Sequence, residues 1–142
     1  MRSLRLLPAI LLLSIAAACG SDDPKDPEFT GDPLATITSD SGALRLEIRT
    51  SPQPPTKGPV DVEVAVVDSE SGAPVDDLSI EVSPWMGSMG HGSNTVDADA
   101  LGEGRYLATG ALFSMPGPWE LRFAISGAID DTAETPSFEV LP

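Results

Sequence analysis

The stretch Val-Asp-Val-Glu-Val-Ala-Val at residues 60–66 decides the fold class of this protein. A valine occupies every second position, and the residues between the valines are acidic or small. Successive side chains of a β-strand point to opposite faces, so a period of two predicts a strand with one buried and one solvated face.

The same period recurs on both sides of this stretch, and turn residues separate the repeats. Apolar residues alternate in five further segments, which are 44–48, 78–82, 105–113, 119–125 and 138–140. Glycine, proline and polar residues fill the breaks at 52–59, 69–74, 101–104 and 115–118. Six or seven short strands in about 100 residues predict an all-β fold, an immunoglobulin-like antiparallel β-sandwich of about seven strands.

Composition excludes several classes of function. The chain has 142 residues, with 8 basic and 22 acidic side chains and a formal net charge of −14. Such an acidic chain does not bind nucleic acid through phosphate contacts. It has one Cys, too few for a redox pair of cysteines, and one His, too few for a typical zinc site. Ser, His and Asp are all present, but no segment resembles the nucleophile elbow of a Ser-His-Asp hydrolase. We therefore expect a protein that is not an enzyme.

The first eighteen residues have the pattern of an export signal. Arg2 and Arg5 precede an uncharged, mostly apolar run at residues 6–18, which is too short to span a membrane but fits a secretory signal peptide. The run ends in Ala-Ala-Ala-Cys at residues 16–19, which resembles the lipobox of bacterial lipoproteins. This resemblance implies cleavage before Cys19 and acylation of its thiol and amine. The alternative is ordinary signal cleavage that leaves Cys19 as a free thiol.

The sequence divides into three parts. Residues 1–18 are the predicted lipoprotein signal peptide, and residues 19–41 are the lipid-anchored Cys followed by an acidic, proline-rich tether. Residues 42–142 are the predicted β-sandwich domain. Two or three acyl chains suffice for stable anchoring. We expect a protein on the cell membrane or outer membrane that faces the periplasm or the exterior.

One loop concentrates the rare soft-ligand residues. Met86, Met89 and His91 lie within six positions among Gly and Ser, and Met115 lies in a second turn. Thioether and imidazole groups are ligands suited to Cu(I), so the four residues form a candidate Cu(I) site if both turns lie at one end of the sandwich. Two alternatives remain: Met86 or Met115 caps the end of the core while His91 is solvated, or carboxylates help to form a zinc site.

Three motifs together resemble the YtkA-like domain family, which is related to FixH-like proteins. They are the Met-rich loop at 85–92, Gly-Arg-Tyr at 104–106 and the segment at 113–121, and they follow Gly-Ala-Pro-Val at 72–75. The resemblance covers about residues 44–140. It implies a small exported β-sandwich, often lipid-anchored, that is associated with copper handling and respiratory oxidase assembly.

Two functions from different classes follow. The first is a membrane-anchored protein that binds or delivers Cu(I) in the cell envelope through Met86, Met89 and His91, with Met115 as a possible fourth ligand. The second is a non-catalytic interaction module that docks on an envelope or respiratory protein complex through its loops or an unpaired edge strand.

Overall fold

A computed structural model describes residues 27–142 of the chain, so the predicted signal peptide and Cys19 lie outside the described residues. All regular structure in this part is β-strand. The ten strands are β1 Ala35–Thr38, β2 Leu44–Ser51, β3 Gly58–Asp68, β4 Leu78–Met86, β5 His91–Gly92, β6 Val96–Gly102, β7 Arg105–Phe113, β8 Gly117–Gly127, β9 Asp131–Glu134 and β10 Phe138–Val140. No helix within residues 27–142 is long and apolar enough to cross a membrane.

The strands form one antiparallel path in the order β1-β2-β3-β7-β6-β4-β8-β10, with β5 paired to β4 and β9 paired to β8. Strand β6 pairs with β7 through one edge and with β4 through the other, so it joins the two halves of the sandwich. The predicted immunoglobulin-like β-sandwich is confirmed.

The two edges of this path meet at one end of the molecule, and at the other end the β2–β3 loop covers the end of β10. The amide of Asp40, just after β1, donates to the carbonyl of Thr132 in β9 at 2.8 Å. At the opposite end, Thr56 forms a parallel bridge with Leu141 just after β10. These contacts protect the edge strands, because an unpaired edge is where a sheet recruits further strands.

The core consists of the inward-facing residues that the period of two predicts. Val60, Val62, Val64 and Val66 of the opening stretch are at most 1% exposed. Phe113 and Trp119, which flank the turn between β7 and β8, pack edge to face with ring centroids 5.3 Å apart. Close packing of apolar side chains therefore supplies the cohesion.

The structured region begins before the predicted boundary at residue 42. Strand β1 lies within the segment that we predicted as a tether, and its residue Ile37 pairs with Leu46 of β2. Ile37 and Ser39 are buried, and the Ser39 hydroxyl accepts the Leu44 amide at 3.0 Å. Four residues with β-branched Thr36, Ile37 and Thr38 suffice for a strand when a partner strand covers them.

The sandwich has two ends that carry different loops. We call the first the entry end, formed by loops 52–57, 87–90 and 114–116, because the described chain enters there. The side chain of Arg49 donates to the carbonyl of Gly31 at 3.3 Å, and the side chain of Gln53 donates to that of Asp32 at 2.6 Å. We call the opposite end, formed by loops 39–43, 69–77, 103–104 and 128–130, the far end.

Candidate metal centre

The β4–β5 hairpin places Met86 and His91 directly opposite each other. Met86 is the Cα partner of His91 in the antiparallel pair. The amides of Met89 and Gly90 both donate to the carbonyl of Met86, at 3.1 and 3.0 Å. Gly90 closes the loop at a φ of 67°, a conformation that favours glycine. Directly opposite residues share a face of the sheet, so the thioether and the imidazole leave the hairpin on the same side.

The Met86 side chain lies at the entry end of the core and reaches the β7–β8 turn. It is 3% exposed. A Cβ atom added to Gly117 would lie 3.5 Å from the Met86 methyl carbon. Met115, two residues before Gly117, is partly buried against the core, and its carbonyl accepts the Trp119 indole N–H at 3.0 Å. The structure therefore brings Met86, His91 and the Met115 turn to one end of the sandwich.

Met89 and His91 lie on the solvent side of this arrangement. The Met89 side chain is 58% exposed in the loop between β4 and β5. His91 is also exposed, with its Nδ1 atom 3.3 Å from the carbonyl of Gly92. A molecule approaching from solvent therefore reaches Met89 and His91 before it reaches Met86.

The described residues contain no group of three or more His, Cys, Asp or Glu side chains that could hold a metal ion. A metal at the entry end would therefore depend on thioether sulfur together with the imidazole of His91. This donor set fits a soft ion such as Cu(I) better than Zn²⁺ or Ca²⁺, which take nitrogen, thiolate and oxygen ligands. The residues present fit the copper ion that the sequence pattern implies.

Core packing by itself explains the positions of some of the methionines and not of others. Met86 belongs to the buried cluster, where a methionine fills space at the end of a β-sandwich without any ligand. Packing does not account for Met89, because more than half of its side chain is in solvent. The core-capping alternative thus covers Met86 and, in part, Met115.

A groove of about 600 Å³ borders the hairpin on the outer face of β4, β8 and β9. The Arg122 guanidinium lies 4.2 Å from the Trp85 ring centroid, in cation–π contact. Arg122 Nε also lies 3.0 Å from a Glu134 carboxylate oxygen. Gly92 forms part of the groove wall. A side chain does not fit there, because an added Cβ would lie 2.8 Å from the Pro84 carbonyl oxygen. Periodicity along the chain does not predict this groove, because the groove depends on a register that pairs Ser83 with Arg122.

Two solved structures of FetP from uropathogenic Escherichia coli strain F11 have a similar fold. A copper-bound single-residue variant of FetP matches with a TM-score of 0.54 and 11% identity, covering 79% of this chain and 98% of that chain. FetP as isolated after expression in the E. coli periplasm matches with a TM-score of 0.52 and 10% identity, covering 77% and 94%.

At such low identities, these structural matches show a shared fold alone. No curated protein matches the sequence. A family model described as YtkA-like matches residues 38–124, which run from the last residue of β1 into β8 and include Met86, Met89, His91 and Met115. This match covers more than half of the chain, and the protein belongs to the YtkA-like family.

Proposed function

We propose that this protein binds Cu(I) at the entry end through Met86, His91 and Met115, with Met89 as an accessible fourth ligand, and that it buffers or delivers copper in the cell envelope. The observation that carries the proposal is the direct cross-strand pairing of Met86 with His91 beside the Met115 turn. Copper in a structure of FetP, which shares the fold, supports the choice of metal.

The chemistry of these side chains suits reversible binding. Thioethers and a neutral imidazole carry no negative charge, so they favour a monovalent soft ion over a hard divalent one. A site without thiolate ligands also persists in an oxidising compartment, where free cysteines form disulfides. The proposed role is binding and transfer without catalysis.

The different exposure of the ligands supports exchange with a partner. Met86 forms the buried base of the site, whereas Met89 and His91 are open to solvent. An acceptor would replace Met89 and His91 first while the core remains closed around Met86. We further propose that acylated Cys19 holds the protein on a membrane facing the periplasm or exterior; the pattern at residues 16–19 supports this anchor.

The test is a Cu(I) titration of the soluble part, residues 20–142, against a chromophoric chelator. Substituting Met86→Leu, His91→Gln or Met115→Leu removes one proposed ligand and nearly conserves side-chain size, and each should weaken binding about tenfold or more. Leu101→Ala is the matched control at the far end, since Leu101 is 48% exposed and remote from the proposed ligands. If a variant that combines Met86→Leu, His91→Gln and Met115→Leu binds Cu(I) as tightly as the parent, copper binds elsewhere; if the parent itself does not bind Cu(I), the proposal is wrong.

A second candidate is the non-catalytic interaction module, and the groove beside Trp85 favours it. The groove combines an aromatic ring, a guanidinium and several hydroxyl groups, which suit recognition of a polypeptide. A metal-depleted domain that retains a membrane partner would support this function. Loss of that partner on copper removal, and its return on copper addition, would favour the copper function.

A further inference from the structure

We infer that the entry end is the face that this domain turns toward the bilayer holding Cys19, and that loop 87–90 and Leu141 contact the lipid headgroup surface. The inference rests on the proposed lipid anchor and is independent of whether the loop binds copper. Three separate observations carry it: the place where the chain enters, the position of the exposed apolar side chains, and the distribution of charged loops.

The first observation is the point at which the chain becomes fixed to the domain. Gly31 and Asp32 are held at the entry end by Arg49 and Gln53. Twelve residue steps separate Cys19 from Gly31, and such a segment reaches about 40 Å when fully extended. The 11 residues of β8 span about 35 Å between the two ends of the domain. An anchor at Cys19 therefore tethers the domain through its entry end, and the reach of this segment alone leaves either end able to approach the bilayer.

The second observation is the location of the exposed apolar side chains. Among the described residues, four large hydrophobic side chains are exposed, and three lie toward the entry end: Met89 at 58%, Leu112 at 38% and Leu141 at 41%. Leu101, the fourth, is at the far end. Single exposed apolar residues are normal on a protein surface. Their concentration at the end where the tether enters fits contact with an amphipathic surface.

The third observation is a charge difference between the two ends. The entry-end loops 52–57, 87–90 and 114–116, together with residues 141–142, contain no acidic side chain and one basic one, Lys57. The segment between Cys19 and the domain stays near the anchor in either orientation, and its charged residues are Asp22, Asp23, Lys25, Asp26, Glu28 and Asp32. The far-end loops contain no basic side chain and carry Asp40, Glu70, Asp76, Asp77, Glu103 and Asp130.

This difference is large for so acidic a chain, and it favours one orientation. Anionic lipids give a bilayer surface a negative potential that repels carboxylates within about one Debye length. Turning the far end outward keeps its six carboxylates away from this potential. The same orientation presents Met89 and His91 at the bilayer surface, where a membrane-embedded metal acceptor would be reached directly.

The experiment uses the full-length acylated lipoprotein, without metal, in vesicles of phosphatidylethanolamine and phosphatidylglycerol. Ser88→Cys at the entry end and Glu70→Cys at the far end each provide one free thiol for a donor dye, because acylation blocks Cys19. An acceptor dye is attached to a fraction of the lipid headgroups. We expect energy transfer from position 88 to be several-fold more efficient than from position 70.

A second set of variants tests the contact itself. Met89→Ser, Leu112→Ser and Leu141→Ser together should lower the transfer from position 88 toward that from position 70, whereas Leu101→Ser should leave both unchanged. Equal transfer from both ends, no response to the triple variant, or absence of the protein from the vesicles would each overturn the inference. Self-association of the soluble domain that the triple variant abolishes would assign the apolar side chains to a second copy and would also overturn it.

The two proposals fail separately. A Cu(I) titration with no binding, combined with unequal energy transfer from the two ends, would remove the copper function and leave the orientation standing. Tight Cu(I) binding combined with equal energy transfer from the two ends would support the copper function and overturn the orientation.

Discussion

Met86 and Met89 look equivalent in the sequence, but the structure gives them opposite environments. The alternation of buried residues in β4 continues from Leu78 to Met86, so strand parity predicts that Met86 faces inward. Met89 follows the turn, where parity no longer applies, and its exposure depends on the loop hydrogen bonds. The sequence therefore identifies the candidate ligands, and the fold determines which is buried and which is accessible.

At the residue scale, Gly104 tests the packing of the β6–β7 turn. It has a φ of 71°, and an added Cβ would lie 2.5 Å from the Val66 carbonyl oxygen. Gly102 has a φ of 86° with nothing within 4 Å of such a Cβ. Both substitutions to Ala incur the left-handed backbone cost of about 1–2 kcal/mol, but only Gly104→Ala adds a clash with backbone.

We therefore expect Gly104→Ala to lower the free energy of unfolding by at least about 1 kcal/mol more than Gly102→Ala. Urea denaturation monitored by tryptophan fluorescence, to which buried Trp119 contributes, measures both values. Equal losses of unfolding free energy in the two variants would mean that the close approach of Gly104 to β3 does not affect stability.

At the scale of elements, the long strands could be predicted from the sequence and their connections only in part. Period-two alternation locates β2, β3, β4, β7, β8 and β10 because one face of each is buried. Strands β1 and β5 have four and two residues, too few for a period to be visible. The split of one edge into β9 and β10 depends on their pairing with β8, which local sequence does not encode.

The contact between the β1–β2 turn and β9 should make the stability of the protein sensitive to acid, because it depends on the carboxylate of Asp131. Desolvation raises the pKa of Asp131, but hydrogen bonds from the hydroxyls of Ser41 and Ser39 and from the amides of Thr132 and Ser41 outweigh it. The net effect lowers the pKa of Asp131 from 3.8 to about 2. The folded state thus favours the carboxylate, so its stabilisation is complete above about pH 4 and is lost as the pH falls toward 2.

Replacing Asp131 with Asn should flatten the fall in stability between about pH 4 and pH 2. Thermal unfolding at several pH values measures this slope, with Glu70→Gln in the far-end loop as the control. Some acid sensitivity will remain, because the backbone amide and hydroxyl of Ser71 also lower the pKa of Asp68. A slope in Asp131→Asn equal to that of the parent would contradict the role of this contact.

At the scale of the whole molecule, the protein is a β-sandwich with two chemically different ends. The entry end combines the incoming chain, the Met and His side chains and loops without acidic residues, whereas the far end carries acidic loops. The sequence suggests the site because soft-ligand residues are rare in this chain and concentrated in two turns. Their meeting at one end depends on the β4–β8 register, which single-sequence periodicity cannot supply.

The central claim is that this end of the sandwich holds Cu(I) through thioether sulfur and one imidazole. X-ray absorption spectroscopy of the Cu(I)-loaded domain tests it most directly, because sulfur and nitrogen neighbours of the metal are distinguished. We predict at least two sulfur ligands and one nitrogen ligand, with one sulfur lost in Met115→Leu and the nitrogen lost in His91→Gln. A coordination shell of nitrogen and oxygen alone, unchanged by either substitution, would contradict the account.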